Sequence, residues 1–286
     1  MHPASLVHRA TSTSPGLARL VRVSENPEPR PAVVPDPGLP NPEAPNPQLP
    51  VLQKLRIQYA KRGRLRFTSH RDFGRAFERA IRRARIPIAH SHGFTPHPKI
   101  SYANASPTGA ASEAEYLEIG LTQRLDPADV QRRLDASLPD GLDVVAVVEA
   151  GAGSLADRLE ASRWELSLLG VDPVVAAQAV ATFLAQSSVE VERMTKRGPR
   201  VFDCRAAVVS LAVRSEGAGE QPCAILDLVV RHGTPSVRPD DVLAGLRSSG
   251  GLEVAQAPLA NRVAQGPLDA ETGTVGDPLA LDRDAP

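Results

Sequence analysis

Between residues 53 and 262 the chain alternates short apolar runs of two different periods. Leu55-Arg56-Ile57-Gln58-Tyr59 alternates apolar with polar, the period of a half-buried strand. After a turn at Arg62-Gly63 the period lengthens. Phe73, Ala76, Phe77, Ala80, Ile81 and Ala84 share one arc of a helix, while Arg71, Arg75, Arg79 and Arg82 share the opposite arc. Ser69 is placed to cap this helix, Asp72 three residues on completes a capping box with a shortened acid, and Pro87 stops it. Strands are predicted at Ile100–Ala103 and Tyr116–Thr122. A second helix opens at Asp126-Pro127, with the aspartate at N-cap and the proline in the first turn, and Leu142–Glu149 is a fourth strand.

The order β-α-β-β-α-β is that of the split βαβ unit of ferredoxin-like domains. It recurs with strands at Trp164–Leu169, Val189–Met194, Arg205–Arg214, Ala224–Arg231 and Leu252–Ala257. Helices run from Asp172-Pro173 to Gln186 and over Pro239–Arg247, and the second copy carries an additional strand or long hairpin. The expected fold class is α+β: two tandem ferredoxin-like domains, at 53–150 and 163–262, joined by a linker at 151–162. Residues 1–50 hold 12 of the 27 prolines, each lacking a backbone donor, so 1–52 is predicted to be a Pro-rich disordered tail. From Gly266 to Pro286 there are five acids against one arginine and no periodicity. Residues 263–286 are therefore expected to form an acidic disordered tail.

A chain of 286 residues suits two domains plus tails. No apolar run approaches the roughly 18–20 residues of a membrane span, and no export h-region is present, so a cytoplasmic protein is expected. Cys204 and Cys223 make neither a disulfide framework nor a thiol-rich metal site, and no cofactor is expected.

Lysine plus arginine and aspartate plus glutamate both total 33, which excludes a histone-like basic chain. That balance hides an asymmetry. From Lys54 to Lys99 thirteen cations face two acids, Asp72 and Glu78, a sum of +11; residues 100–265 hold fifteen cations and twenty-two acids, a sum of −7. Seven of the ten aromatics lie between Tyr59 and Tyr116. A basic helix face beside an aromatic-bearing loop can grip phosphates and stack unpaired bases. The competing explanation is compositional: 29 arginines against four lysines make any exposed helix look basic. Phe73 and Phe77 lie on the apolar arc and belong to the core. A second basic patch is expected around the turn at Gly198, with Arg193, Lys196, Arg197, Arg200 and Arg205.

The segment His90-Ser91-His92-Gly93-Phe94-Thr95-Pro96-His97-Pro98-Lys99 is a loop stiffened by Pro96 and Pro98. His90, His92 and His97 are three imidazoles at a spacing unlike established metal motifs, so a metal site ranks below the other readings. General acid–base chemistry by His97 or His70 is a second reading. A loop built for shape, with polar groups that contact a ligand, is the third. Glu115 or Glu118 is expected to pair with an arginine of the basic helix.

Phe67, Ser69, Asp72, Arg75, Arg82 and Pro87, the string Ser91-x-Gly93-Phe94-x-Pro96-His97-Pro98-x-Ile100-Ser101, and then Gly109, Ser112 and Glu115 resemble the radical-SAM-linked protein family. This is a domain of unknown function encoded beside, or fused to, radical SAM proteins. The resemblance covers roughly residues 53–262 and is weaker in the second half. Ala105-Ser106-Pro107-Thr108 departs from the leucine- and proline-rich stretch usual there. The resemblance implies a radical SAM enzyme as partner and a role in presenting its substrate. The cluster cysteines of such an enzyme are absent from this chain. The tandem layout is also similar to that of RNA-cleaving CRISPR repeat endonucleases, an analogy of fold alone.

The first functional expectation is an accessory protein that binds RNA (tRNA or rRNA) through Arg71, Arg75, Arg79, Arg82, Arg83, His92, Gly93, Phe94, His97 and Lys99. One alternative is a metal-independent RNA-processing enzyme using His97 or His70. Another is a protein–protein adaptor that needs no nucleic acid.

Overall fold

The leading strand β1 (Gln53–Lys61) turns Leu55, Ile57 and Tyr59 to one face of a sheet, where the apolar arc of helix α1 (His70–Arg83) covers them. The Tyr59 and Phe73 rings stack with centroids 4.3 Å apart. The cap forms as the residues dictate: Ser69 Oγ accepts the Asp72 N–H. The chain continues through β2 (Ile100–Ala103), β3 (Ala111–Leu121), α2 (Pro127–Asp135) and β4 (Leu142–Glu149). A computed structural model describes residues 49–195, 198–215 and 221–283. Of the Pro-rich tail expected at 1–52, residues 1–48 lie outside the described residues.

The second half runs β5 (Ala161–Leu169), α3 (Pro173–Leu184), β6 (Glu190–Thr195), β7 (Gly198–Asp203), β8 (Val208–Ser215), β9 (Cys223–Arg231), α4 (Pro239–Gly250), β10 (Leu259–Gly266) and α5 (Ala280–Arg283). The protein is α+β, with one mixed eight-stranded sheet in the order β4-β1-β3-β10-β5-β9-β8 and with β2 also paired to β3. β6 and β7 form a separate hairpin. β10 joins the halves, running parallel to β3 at Ala111–Ser112 and antiparallel to β5 over Ala161–Ser167. Asp126 and Asp172 cap α2 and α3, each followed by a proline at the first helical position. Among the described residues no helix is long and apolar enough to cross a membrane.

Three expectations are corrected here. The last strand is not Leu252–Ala257, which has no regular structure, but Leu259–Gly266. The acidic tail expected at 263–286 is folded as far as residue 283, with Leu279 and Asp282 buried. The linker expected at 151–162 packs Leu155 and Leu159 against Tyr116, Val148 and Leu279 on the sheet face opposite the long helices. The physical reason is common to all three. A few apolar residues suffice to dock a short segment onto a sheet face already ordered by other strands, and no local period reports that.

Close packing in the second half makes Gly245 of α4 sensitive. A Cβ there would lie 2.8 Å from Cys204 Sγ and 2.9 Å from Phe183 Cε2. Gly245→Ala is expected to destabilise the fold by about 1–2 kcal/mol, because overpacking outweighs the gain in helix propensity. Denaturant titration should show a lower midpoint with an unchanged slope.

Candidate nucleic-acid interface

Of the thirteen cations between Lys54 and Lys99, four serve the sheet. Lys54 meets Glu118 at 3.0 Å, and Arg56 meets Glu118 at 3.3 Å and Asp282 at 2.8 Å. Arg62 pairs with Glu113 and, at 2.7 Å, with Asp143. Lys61 is buried and donates weakly to the Pro107 carbonyl at 3.4 Å. Burial pushes its ammonium below the usual lysine range, against the pull of Glu115 and with the help of Arg262.

The nine others follow α1 and its flanks. Arg64, Arg71, Arg75, Arg79, Arg82, Arg83 and Arg85 are all exposed, while Arg66 and Lys99 are half-buried. Arg75 lies 3.9 Å from Asp72 and Arg82 lies 3.7 Å from Glu78, both on the helix surface, where such pairs contribute about 0–1 kcal/mol. Arg83 donates to the Ser137 carbonyl. Arg71 and Arg79 have no carboxylate partner among the described residues. Neither Glu115 nor Glu118 makes the expected pair with an arginine of this helix. They bond instead to Arg262 and to Arg56 and Lys54, because β3 turns both carboxylates toward sheet residues. The guanidinium row therefore faces solvent.

The His90–Lys99 segment is a short projecting hairpin. Ala89 N–H donates to the Gly120 carbonyl, Lys99 N–H to the Ala89 carbonyl, and His90 and Pro98 form an isolated bridge. Higher up, Ser91 N–H donates to the His97 carbonyl at 2.8 Å, and His97 N–H donates to Ser91 Oγ at 3.0 Å. Gly93, at φ +127°, makes the tip in a conformation closed to other residues, and Phe94 beside it is fully exposed. His90, His92 and His97 are exposed, and among the described residues they form no group able to hold a metal ion.

The hairpin springs from the end of the sheet at which α1 finishes, since Ile88 bridges Leu121 and Leu121 pairs with Gln53. The arginines toward the end of α1 and the hairpin are thus brought to one end. His70 is not. It sits at the start of α1, edge-on to Tyr102 at 4.7 Å, and among the described residues neither its imidazole nor that of His97 is held by a polar partner. Burial, followed by the nearby Glu78, raises the Tyr102 hydroxyl to about 12.

The second patch is dispersed. Arg193 donates to Asp241 Oδ2 at 2.6 Å and lies 4.9 Å over the Phe202 ring, so it braces β6 against α4. Arg200 is exposed; Lys196 and Arg197 lie outside the described residues.

Sequence reasoning missed a cleft of about 540 Å³ where the halves meet, lined by Asn104, Ser162, Trp164, His232, Arg238 and Arg262 among others. Arg262, which lines it, is buried in an ion pair with Glu115, with its guanidinium 5.4 Å over the Trp164 ring. Burial holds the His232 imidazole below its usual range; a hydrogen bond to the Leu159 carbonyl opposes this and Arg262 adds to it. No local motif announces these residues. Four of them come from four separate segments, with Asn104 following β2, Ser162 on β5, His232 following β9 and Arg262 on β10.

A search of curated proteins finds no match to this chain. Residues 54–239 match the family model described as "Uncharacterized protein conserved in bacteria (DUF2344)". The matched stretch takes in α1, the histidine hairpin, Asn104, Ser162 and His232, and it spans more than half of the chain. The chain belongs to the DUF2344 family of uncharacterised bacterial proteins.

Proposed function

We propose that this protein binds structured RNA along the arginine face of α1, with the histidine hairpin reaching an unpaired base through Phe94. It would present that RNA to a radical SAM partner enzyme, the role implied by the resemblance of its SxGFxPHPxxS string to the radical-SAM-linked proteins. The supporting observation is the exposed guanidinium row: among the described residues it has two marginal surface carboxylate contacts and ends beside a hairpin with an exposed aromatic tip, an arrangement suited to a polyanion. For the fold, we read each half as a ferredoxin-like unit. The strand order β4-β1-β3-β2 in the first and β10-β5-β9-β8 in the second supports this, with β6 and β7 as an insertion.

Filter binding of total cellular RNA against salt tests the proposal. Neutralising four or five phosphates predicts a slope of about −4 in log affinity against log salt. Phe94→Ala is expected to weaken binding of RNA with unpaired loops by about 1–3 kcal/mol while leaving the melting midpoint unchanged. A flat salt response would overturn the reading. Capture of an acidic protein that survives nuclease treatment, with no RNA retained, would replace it by the adaptor.

A further inference from the structure

The cleft between the halves holds a constellation that RNA binding does not use. Ser162 Oγ lies 2.6 Å from His232 Nε2, and His232 Nδ1 lies 2.7 Å from the Leu159 carbonyl oxygen. A carbonyl only accepts, so Nδ1 carries the proton and donates it. Nε2 is then the acceptor, and the Ser162 hydroxyl donates to it. That leaves the serine oxygen's lone pairs free for a reacting carbon, with a fixed base behind its proton. Asn104 stands beside the pair, its Nδ2 3.1 Å from Nδ1 and 3.3 Å from Nε2 of His232.

Asn104 is held with unusual care. Its backbone is left-handed, at φ +44°, a conformation that costs energy for any residue with a Cβ and that asparagine tolerates better than most. Arg262 Nη1 donates to its carbonyl at 2.9 Å, and one of its amide N–H groups donates to Gln265 Oε1 at 2.7 Å. Glu115 in turn fixes Arg262. The same Asn104 nitrogen that donates to Gln265 sits against both His232 ring nitrogens, so Asn104 ties the imidazole to this frame. The pair lines a cavity, with Ser162 only 2% exposed, His232 half-buried and the exposed Arg238 among the other lining residues.

We propose that Ser162 and His232, oriented by the Leu159 carbonyl, hydrolyse small carboxylic esters that carry an anionic group. Ser162 Oγ bonds to the ester carbonyl carbon while its proton passes to His232 Nε2. The bond to the leaving oxygen breaks and that oxygen takes the proton from His232, departing as an alcohol. Water, the one co-reactant, then adds to the acyl-serine and gives its proton through His232 to Ser162 Oγ, which leaves as the carboxylic acid is released. No electrons are exchanged. Asn104, held between Gln265 and His232, fixes the plane of the imidazole, and Arg238 selects the anionic group. This activity is independent of the RNA reading and survives its failure.

The test treats the full chain with a fluorophosphonate probe and maps the adduct by peptide mass spectrometry, alongside hydrolysis of p-nitrophenyl acetate and the p-nitrophenyl monoester of succinic acid. Labelling of Ser162 is expected in the wild type, with none at that position in Ser162→Ala. His232→Gln should slow labelling by about 100-fold or more, the usual contribution of a positioned base. Arg238→Ala should reduce the preference for the succinate ester over the acetate ester about tenfold. An unmodified Ser162 in the folded wild type would overturn the proposal without recourse to any variant, as would ester hydrolysis undiminished in Ser162→Ala.

Discussion

Asp282→Ala is expected to lower the unfolding free energy by about 3–5 kcal/mol, the usual cost of breaking a buried ion pair from one side. The Asp282 side chain is fully buried. It accepts from Arg56 Nη1 at 2.8 and 2.9 Å, from Arg158 Nη1 at 2.8 Å and from the Gly151 N–H at 2.9 Å. Without it Arg56, only 1% exposed, keeps just its longer contact to Glu118 on the carboxylate side. A domain of this size should lose roughly 10 °C in melting midpoint.

The same contact predicts a pH dependence. Burial alone would raise the Asp282 carboxyl, but hydrogen bonds from Arg56, Arg158 and Gly151 outweigh it and hold the group below the usual aspartate range. A depressed folded value means that this stabilisation is fully present above the unfolded pKa of about 3.9 and is lost as pH falls through the folded value. Asp282→Asn should therefore be less stable at pH 7 and show a shallower loss of stability on acidification. Denaturant titrations across that range check it. Equal acid limbs in both proteins would show that the pair contributes nothing.

The second large effect is on binding. Replacing Arg71, Arg75 and Arg79 together by alanine should weaken RNA affinity about 100-fold or more at 0.1 M salt and flatten the salt slope by about 3. All three are exposed, so the fold should change by no more than a few tenths of a kcal/mol for each. Arg247→Ala, on the exposed surface of α4, is the matched control and should leave binding unchanged. Equal losses from both would point to diffuse charge rather than to the α1 face.

The local elements were legible because their causes are local. Phe73, Phe77 and Ile81 set the buried face of α1, Ser69 its start, and Asp126-Pro127 and Asp172-Pro173 the starts of α2 and α3. The stiffness of the histidine loop was equally readable from Gly93, Pro96 and Pro98, whereas the exposure of Phe94 at its tip was not. Arg56 was not. Alternation in β1 placed it on a solvent face, and it counted toward the segment's charge. In the fold, residues more than two hundred positions away cover that face and neutralise it. Ser162 illustrates the same limit, being an unremarkable polar residue of a strand until His232 arrives from seventy residues downstream.

The amino-acid order by itself determined where helices begin, which of their faces are apolar, and that cationic groups crowd one helix, since periodicity, capping and charge count act over a few residues. Only the tertiary structure decided which cations face water, that one sheet runs through both halves, and that a serine, a histidine and an asparagine share a cleft. Those outcomes depend on which distant strands and segments dock together, and docking is driven by apolar area and complementary charge summed over the whole chain.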